Sequence, residues 1–205
     1  MNKKFLVIGN PIEHSLSPKL HNYWIKKNNL NALYDKKLLE HGKIKQLISN
    51  VREEKIHGLN VTVPFKKTVI PFLDELSDEA RNSQSVNTIY KVKDKIIGEN
   101  TDIDGFKSAL EATNQVIKNK KVFILGAGGV VPSIIIALKK MQISKIYLSN
   151  RTELKALELK KHFPEIEMIE WGKVSNFDII INATSIGLNK KDEINIDYKN
   201  ISQNK

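Results

Sequence analysis

The chain has 205 residues, enough for one large domain or two small ones. It carries 33 Lys and Arg against 23 Asp and Glu, a formal charge of +10, and no cysteine, which excludes disulfides, thiol catalysis and cysteine-bound metal. The lysines are scattered, and the arginines are only Arg52, Arg81 and Arg151, so no dense basic block interleaved with aromatics argues for nucleic acid.

No apolar run approaches the length of a membrane span. The opening MNKKFLVIGNP is too short for a signal core and lacks a small-residue cleavage site. It reads as the first strand of a cytoplasmic protein. FLVIG (5–9) predicts a buried strand ending at a glycine. HSLSPKLHNYW then supplies a helix start, with Ser17 suited to the N-cap and Pro18 to the first helical position. Leu20, Tyr23 and Trp24 follow at helical spacing, and the two aromatics are expected in the core. A strand around 33–39, a helix around 43–54 and a strand over 57–63 come next. Residues 66–73 suggest a short helix limited by Pro71. TIYKVKDKIIGENTD predicts two strands joined at Lys93 and Asp94.

From residue 102 the texture changes. A helix over 102–112 bridges two halves. KKVFILGAGG, a helix over 130–141, KIYLSN, a helix over 153–162, IEMIEW and FDIIINATS follow. Strands alternating with helices indicate a parallel sheet with crossover helices, and the unbroken apolar strands suit a sheet covered on both faces. The fold class is therefore α/β: an N-terminal α/β domain (1–101) followed by a Rossmann-type doubly wound domain (102–205).

Three stretches carry chemistry. GLNVTVPFKK (58–67) brings Asn60, Thr62 and Lys66 into an otherwise apolar strand that stops at Pro64. A solvated lysine after a strand would read the same. Gly126, Ala127, Gly128 and Gly129 lie between a strand and a helix, where backbone N–H groups can approach a pyrophosphate. Val131 stands where the usual fingerprint has Gly or Ala. The second strand ends YLSNRT, with Asn150, Arg151 and Thr152 and no carboxylate until Glu153. An NAD site usually has an acid there, whereas an arginine offers a planar fork to a 2′-phosphate, so the cofactor expected is NADP. His14 and His21 lack the carboxylate company of a metal site and are expected to be structural, and no metal is expected.

Taken in order, GNPIEHSLSPKLHN (9–22), GLNVTVPFKK (58–67), VNTIY…GENTDIDGF (86–106) and GAGG…SNRT…NATSIGL (126–188) resemble the shikimate dehydrogenase (shikimate/quinate dehydrogenase) family over nearly the whole chain. The resemblance implies that residues 1–101 bind substrate and that the reaction is NADP-dependent interconversion of 3-dehydroshikimate and shikimate, in aromatic amino acid and chorismate biosynthesis. It implies that Ser15 and Ser17 bind the substrate carboxylate, that Thr62, Asn87 and Asp102 contact its hydroxyls, and that Lys66 and Asp102 are the catalytic pair. Asn60 matches a family position as well, but is read as structural. Thr184 and Ser185 match the loop that meets the cofactor. A quinate/shikimate dehydrogenase with NAD tolerance is the close alternative, opposed by Arg151. A catalytically silent shikimate-binding protein is the alternative from another class. No nucleic acid or membrane partner is expected, and a homodimer stays open.

After Leu188 only seventeen residues remain, where a six-stranded Rossmann sheet needs about two more strand–helix steps. The cofactor domain is thus expected to be incomplete, with strands arranged 3-2-1-4 and the fourth, around 178–182, at an open edge. Residues 1–205 alone are expected to turn over little and to self-associate.

Overall fold

In strand β1 (Lys3–Gly9) successive side chains point to opposite faces, and both faces find cover. Leu6 and Ile8 enter the main core of the first unit, while Val7 joins Ile12 and Tyr34 on the other side. These coordinates are a computed structural model that describes residues 2–174 and 176–187. The chain divides into two compact units, Met1–Thr101 and Asp102–Lys205.

In the first unit β1 is followed by helix α1 (Ser17–Lys27), β2 (Ala32–Leu38), helix α2 (Ile44–Arg52), β3 (Gly58–Val61), β4 (Glu75–Leu76), helix α3 (Asp78–Ser83), β5 (Thr88–Val92) and β6 (Lys95–Glu99). The strands form one mixed sheet ordered β2-β1-β3-β5-β6-β4. β2 and β3 flank β1 in parallel, whereas β5 runs antiparallel to β3 and to β6. Helix α2 buries Ile44, Leu47, Ile48 and Val51, the one-faced spacing that docks a helix on a sheet. Each such side chain contributes about 1.5–3 kcal/mol when fully buried.

Helix α1 departs from expectation in two ways. Its N-cap is Leu16, and Ser17 is already the first helical residue, with no side-chain capping bond. The Ser15 hydroxyl accepts the Ser17 N–H instead, at 3.3 Å. Tyr23 and Trp24 are not core residues: they remain 57% and 48% exposed. Their spacing encodes an apolar stripe but not the existence of a surface to cover it. The rings meet edge-on at 5.3 Å, with the Lys27 ammonium over both.

The helix expected over 66–73 is also absent. The Val69 N–H donates to the Phe65 carbonyl at 3.1 Å, and only a 3-10 turn at Ile70–Phe72 follows. Pro71 supplies no N–H to extend it.

The second unit runs α4 (Asp102–Glu111), β7 (Lys121–Leu125), α5 (Val131–Lys140), β8 (Lys145–Ser149), α6 (Glu153–His162), β9 (Glu167–Met168) and β10 (Ile179–Asn182). All four strands are parallel, ordered β10-β7-β8-β9, the arrangement expected from the motif order. Val122 to Leu125 are buried, as are Ile146 to Ser149. β10 lies at the edge among the described residues, with Ile180 exposed. The expectations that concern the end of the chain fall on residues outside those described. No described helix is long and apolar enough to cross a membrane.

Candidate functional site

Close approach at Gly9 shapes the first unit's cleft. A Cβ there would stand 2.6 Å from Thr62 Cγ2 and 2.9 Å from Ile12 Cδ1, so only glycine lets the end of β1 reach the end of β3. Beside this junction Val7, Pro11, Ile12, His14, Ser15, Ser17 and Thr62 line a cleft of about 260 Å³. The structure thus brings Ser15, Ser17 and Thr62 together, and adds His14. Tyr34 lies next to them. Its phenol is hydrogen-bonded by the Ser17 hydroxyl and donates to Asn60 Oδ1 at 2.7 Å. His21 stacks on the Tyr34 ring at 4.1 Å and 7°. Burial pushes the Tyr34 phenol well above its ordinary value, against the opposing Ser17 bond. Burial likewise lowers His21.

Asn60 is a strut. Besides accepting from Tyr34, its Nδ2 donates to Thr88 Oγ1 at 3.1 Å and to the Asn87 carbonyl at 3.3 Å. This ties β2, β3 and β5 beneath the cleft.

Lys66 is set by its neighbour. Phe65 is fully buried and anchors the segment after β3, and the Phe65 N–H donates back to the Thr62 carbonyl at 2.9 Å. The Lys66 carbonyl accepts the Val86 N–H at 2.8 Å, which brings this backbone beside Asn87. Lys66 is partly buried while Lys67 is exposed, so the adjacent lysines differ in kind. Asn87 Oδ1 accepts the Thr101 N–H at 3.0 Å, and its Nδ2 donates to Thr101 Oγ1 at 2.9 Å. Thr101 closes the first unit. Asp102 opens α4, partly buried at its first residue.

In the second unit the turn after β7 is glycine-dependent at one point. Gly126 has φ +107°, and a Cβ on it would lie 2.8 Å from the Ala183 carbonyl oxygen. At Gly128 the nearest atom would be 3.8 Å away, and at Gly129 nothing lies within 4 Å. The protein's own packing does not demand those two glycines. They leave room for an outside group to approach the backbone. Val131, the departure from the fingerprint, is fully buried among Val122, Ile124, Ile135 and Leu148, and supplies the helix–sheet packing itself.

A cavity of about 570 Å³ opens over this turn, lined by Gly126, Ala127, Gly128, Asn150, Arg151, Thr152, Lys155, Trp171 and the loop Ala183 to Ile186. Of the expected cofactor residues it gathers all but Gly129. Lys155 and Trp171 had no motif to flag them. Lys155 stands four residues after Arg151 and comes to the same pocket through the first turn of α6. No lining residue is a carboxylate. Asn150 is part of the scaffold: its Oδ1 accepts the Ala127 N–H at 3.0 Å and its Nδ2 donates to the Thr152 carbonyl at 2.7 Å. Asn182 builds the other wall. Its Oδ1 accepts from the Thr184 N–H at 3.0 Å and the Thr184 hydroxyl at 2.7 Å, and its Nδ2 donates to the Ile186 carbonyl at 3.0 Å. Thr184 therefore shapes the loop, and the exposed Ser185 has the freer hydroxyl.

The residues present fit NADP: open backbone at the glycines, two cations at the end of β8, and no acid in the lining to repel a 2′-phosphate. Among the described residues no group of three or more His, Asp or Glu could hold a metal ion.

Two family models match the chain: the shikimate dehydrogenase substrate binding domain over residues 7–89 and shikimate / quinate 5-dehydrogenase over residues 107–193. The NADP(+) shikimate dehydrogenase of Pelagibacter ubique is 73% identical over 205 residues, covering 100% of this chain and 77% of the relative. The crystal structure of shikimate dehydrogenase from Aquifex aeolicus aligns with TM-score 0.87 at 36% identity, over 97% of this chain and 74% of that one. The Thermus thermophilus shikimate 5-dehydrogenase, solved with NADP(H) and shikimate, aligns with TM-score 0.82 at 31% identity, over 91% of this chain and 70% of that one. On this agreement of sequence, fold and pocket, the chain belongs to the shikimate dehydrogenase family.

Proposed function

We propose that this protein is an NADP-dependent oxidoreductase that interconverts 3-dehydroshikimate and shikimate in aromatic amino acid biosynthesis. The observation that carries the reading is the pocket over the glycine turn, which presents Arg151 and Lys155 and no carboxylate in a member of this family. Bound NADP(H) supplies or accepts the hydride.

The remaining chemistry falls to the chain's own residues. Residues 1–101 take the substrate and residues 102–205 the cofactor. Ser15 and Ser17 hold the substrate carboxylate, a role supported by their shared cleft with Thr62. Thr62, Asn87 and Asp102 grip ring hydroxyls. Lys66 hydrogen-bonds the oxygen on which negative charge develops as the carbonyl is reduced and donates a proton to it. In the other direction it accepts that proton. Asp102 orients the ammonium. Gly126, Ala127, Gly128 and Gly129 receive the pyrophosphate, Asn150, Arg151 and Thr152 the 2′-phosphate side, and Thr184 and Ser185 close over the cofactor. We also place the protein in the cytoplasm, and the place of β10 at the sheet edge among the described residues favours self-association, a homodimer included.

The test is steady-state oxidation of shikimate with NADP⁺ and with NAD⁺, alongside calorimetric binding of each. A shikimate-dependent slope that scales with protein concentration is expected. Saturable NADP⁺ and shikimate binding with a preference over NAD⁺ is expected. A protein that binds neither shikimate nor NADP⁺ would overturn the reading.

A further inference from the structure

Among the described residues that line the pocket over the glycine turn, one side chain is aromatic: Trp171. Its place follows from the sheet. β9 pairs with β8 through Tyr147↔Glu167 and Leu148↔Met168, and the Ile169 N–H continues the pairing to the Leu148 carbonyl at 2.9 Å. The chain then turns at the end of the sheet, on the far side of β8 from β7 and β10. Glu170 and Lys173 close that turn with a backbone bond of 3.0 Å and an ion pair of 2.6 Å. Gly172 has φ +90°, the value a type II turn requires at its third residue. Trp171 is the second residue, at the corner.

The indole is also braced. Trp171 is partly buried and packs against the cluster of Phe123, Leu125, Tyr147 and Phe177. Its neighbours across the pocket are Asn150, Arg151, Thr152 and Lys155 at the end of β8. A doubly wound sheet places the adenosine half of a dinucleotide at the end of its second strand. A rigid aromatic face beside two cations that suit a 2′-phosphate has the character of a base-stacking wall.

We propose that Trp171 is the wall on which the adenine base of NADP stacks. This rests on the NADP reading above and assigns its base to one residue. A Trp171 that only caps the Phe123–Phe177 cluster would be indifferent to ligand.

The chain has two tryptophans, Trp24 and Trp171, so Trp24→Phe leaves Trp171 as the only indole. Adenosine 2′,5′-bisphosphate should quench its emission saturably, at concentrations that match binding by calorimetry. Inorganic pyrophosphate, which has phosphates but no base, should leave the emission unchanged. Trp171→Leu should weaken bisphosphate binding roughly tenfold, whereas Trp171→Phe should stay within a few-fold. Calorimetric binding of the bisphosphate without any change in indole emission would overturn the proposal, as would a folded Trp171→Leu protein of unchanged affinity. Failure of the bisphosphate to bind at all would overturn the NADP reading and this wall with it.

Discussion

Asn150 Oδ1 accepts the Ala127 N–H at 3.0 Å, while the same side chain donates to the Thr152 carbonyl at 2.7 Å. One amide thus fastens the glycine turn to the end of β8. Asn150→Asp keeps the acceptor, loses the donor and adds a negative charge next to Arg151. An acid at the end of this strand favours a ribose hydroxyl over a phosphate. The expected outcome is a loss of NADP⁺ affinity of about tenfold, with NAD⁺ affinity changed much less, read as dissociation constants for both cofactors. Equal losses would mean that only the turn geometry was disturbed.

Arg151→Ala carries a related expectation through attraction. Arg151 is exposed and lines the pocket, so its guanidinium can meet a phosphate without a burial cost. NADP⁺ affinity should fall by about tenfold or more and NAD⁺ affinity by little. Because screening weakens exposed pairs, the difference should shrink at high salt. An identical effect on both cofactors would remove Arg151 from the 2′-phosphate side.

Lys66 and Lys67 provide a paired experiment. Lys66 is partly buried, with its carbonyl accepting the Val86 N–H, and Lys67 is exposed. Lys66→Ala should lower kcat by about 10²–10⁴, the range for a positioned acid–base group, with a smaller change in KM. Lys67→Ala should leave both parameters near their starting values. Similar losses in the two variants would show a general electrostatic effect of the segment.

Tyr34 links the cleft to stability at alkaline pH. Burial raises its phenol above the ordinary 10.0, so the folded state retains that proton longer than the unfolded chain does. The stability this supplies is complete below the unfolded pKa and is lost as pH rises from there through the folded pKa. Tyr34→Phe removes that linkage together with the bond to Asn60 Oδ1. At neutral pH the variant should be about 1 kcal/mol less stable, the net worth of such a bond. The gap should narrow in denaturant titrations run above pH 10.0. A gap that stays constant with pH would show that the phenol's ionisation has no part in it.

Strands such as VFIL were legible because an unbroken apolar run bounded by lysine and glycine has few other solutions in an alternating α/β chain. The glycine turn was legible for the same local reason. Tyr23 and Trp24 misled because helical spacing says which residues share a face and nothing about whether that face is covered. The residues 66–73 misled because Pro71 permits a turn as readily as a helix start. Ser15, Ser17 and Thr62, which share one cleft, were singled out by their motifs, whereas Tyr34 and Trp171 were not. Their positions depend on the pairing of β2 with β1 and of β9 with β8, long-range contacts that local pattern does not encode. Lys155 is one of many helix lysines until α6 brings it to the end of β8.

The most direct measurement is the initial rate of reduced-cofactor formation with shikimate, taken with NADP⁺ and with NAD⁺ and repeated with Lys66→Ala. The account predicts a shikimate-dependent rate that is higher with NADP⁺ and nearly abolished in the variant. No shikimate-dependent reduction of either cofactor, or a rate unaffected by the loss of Lys66, would contradict it.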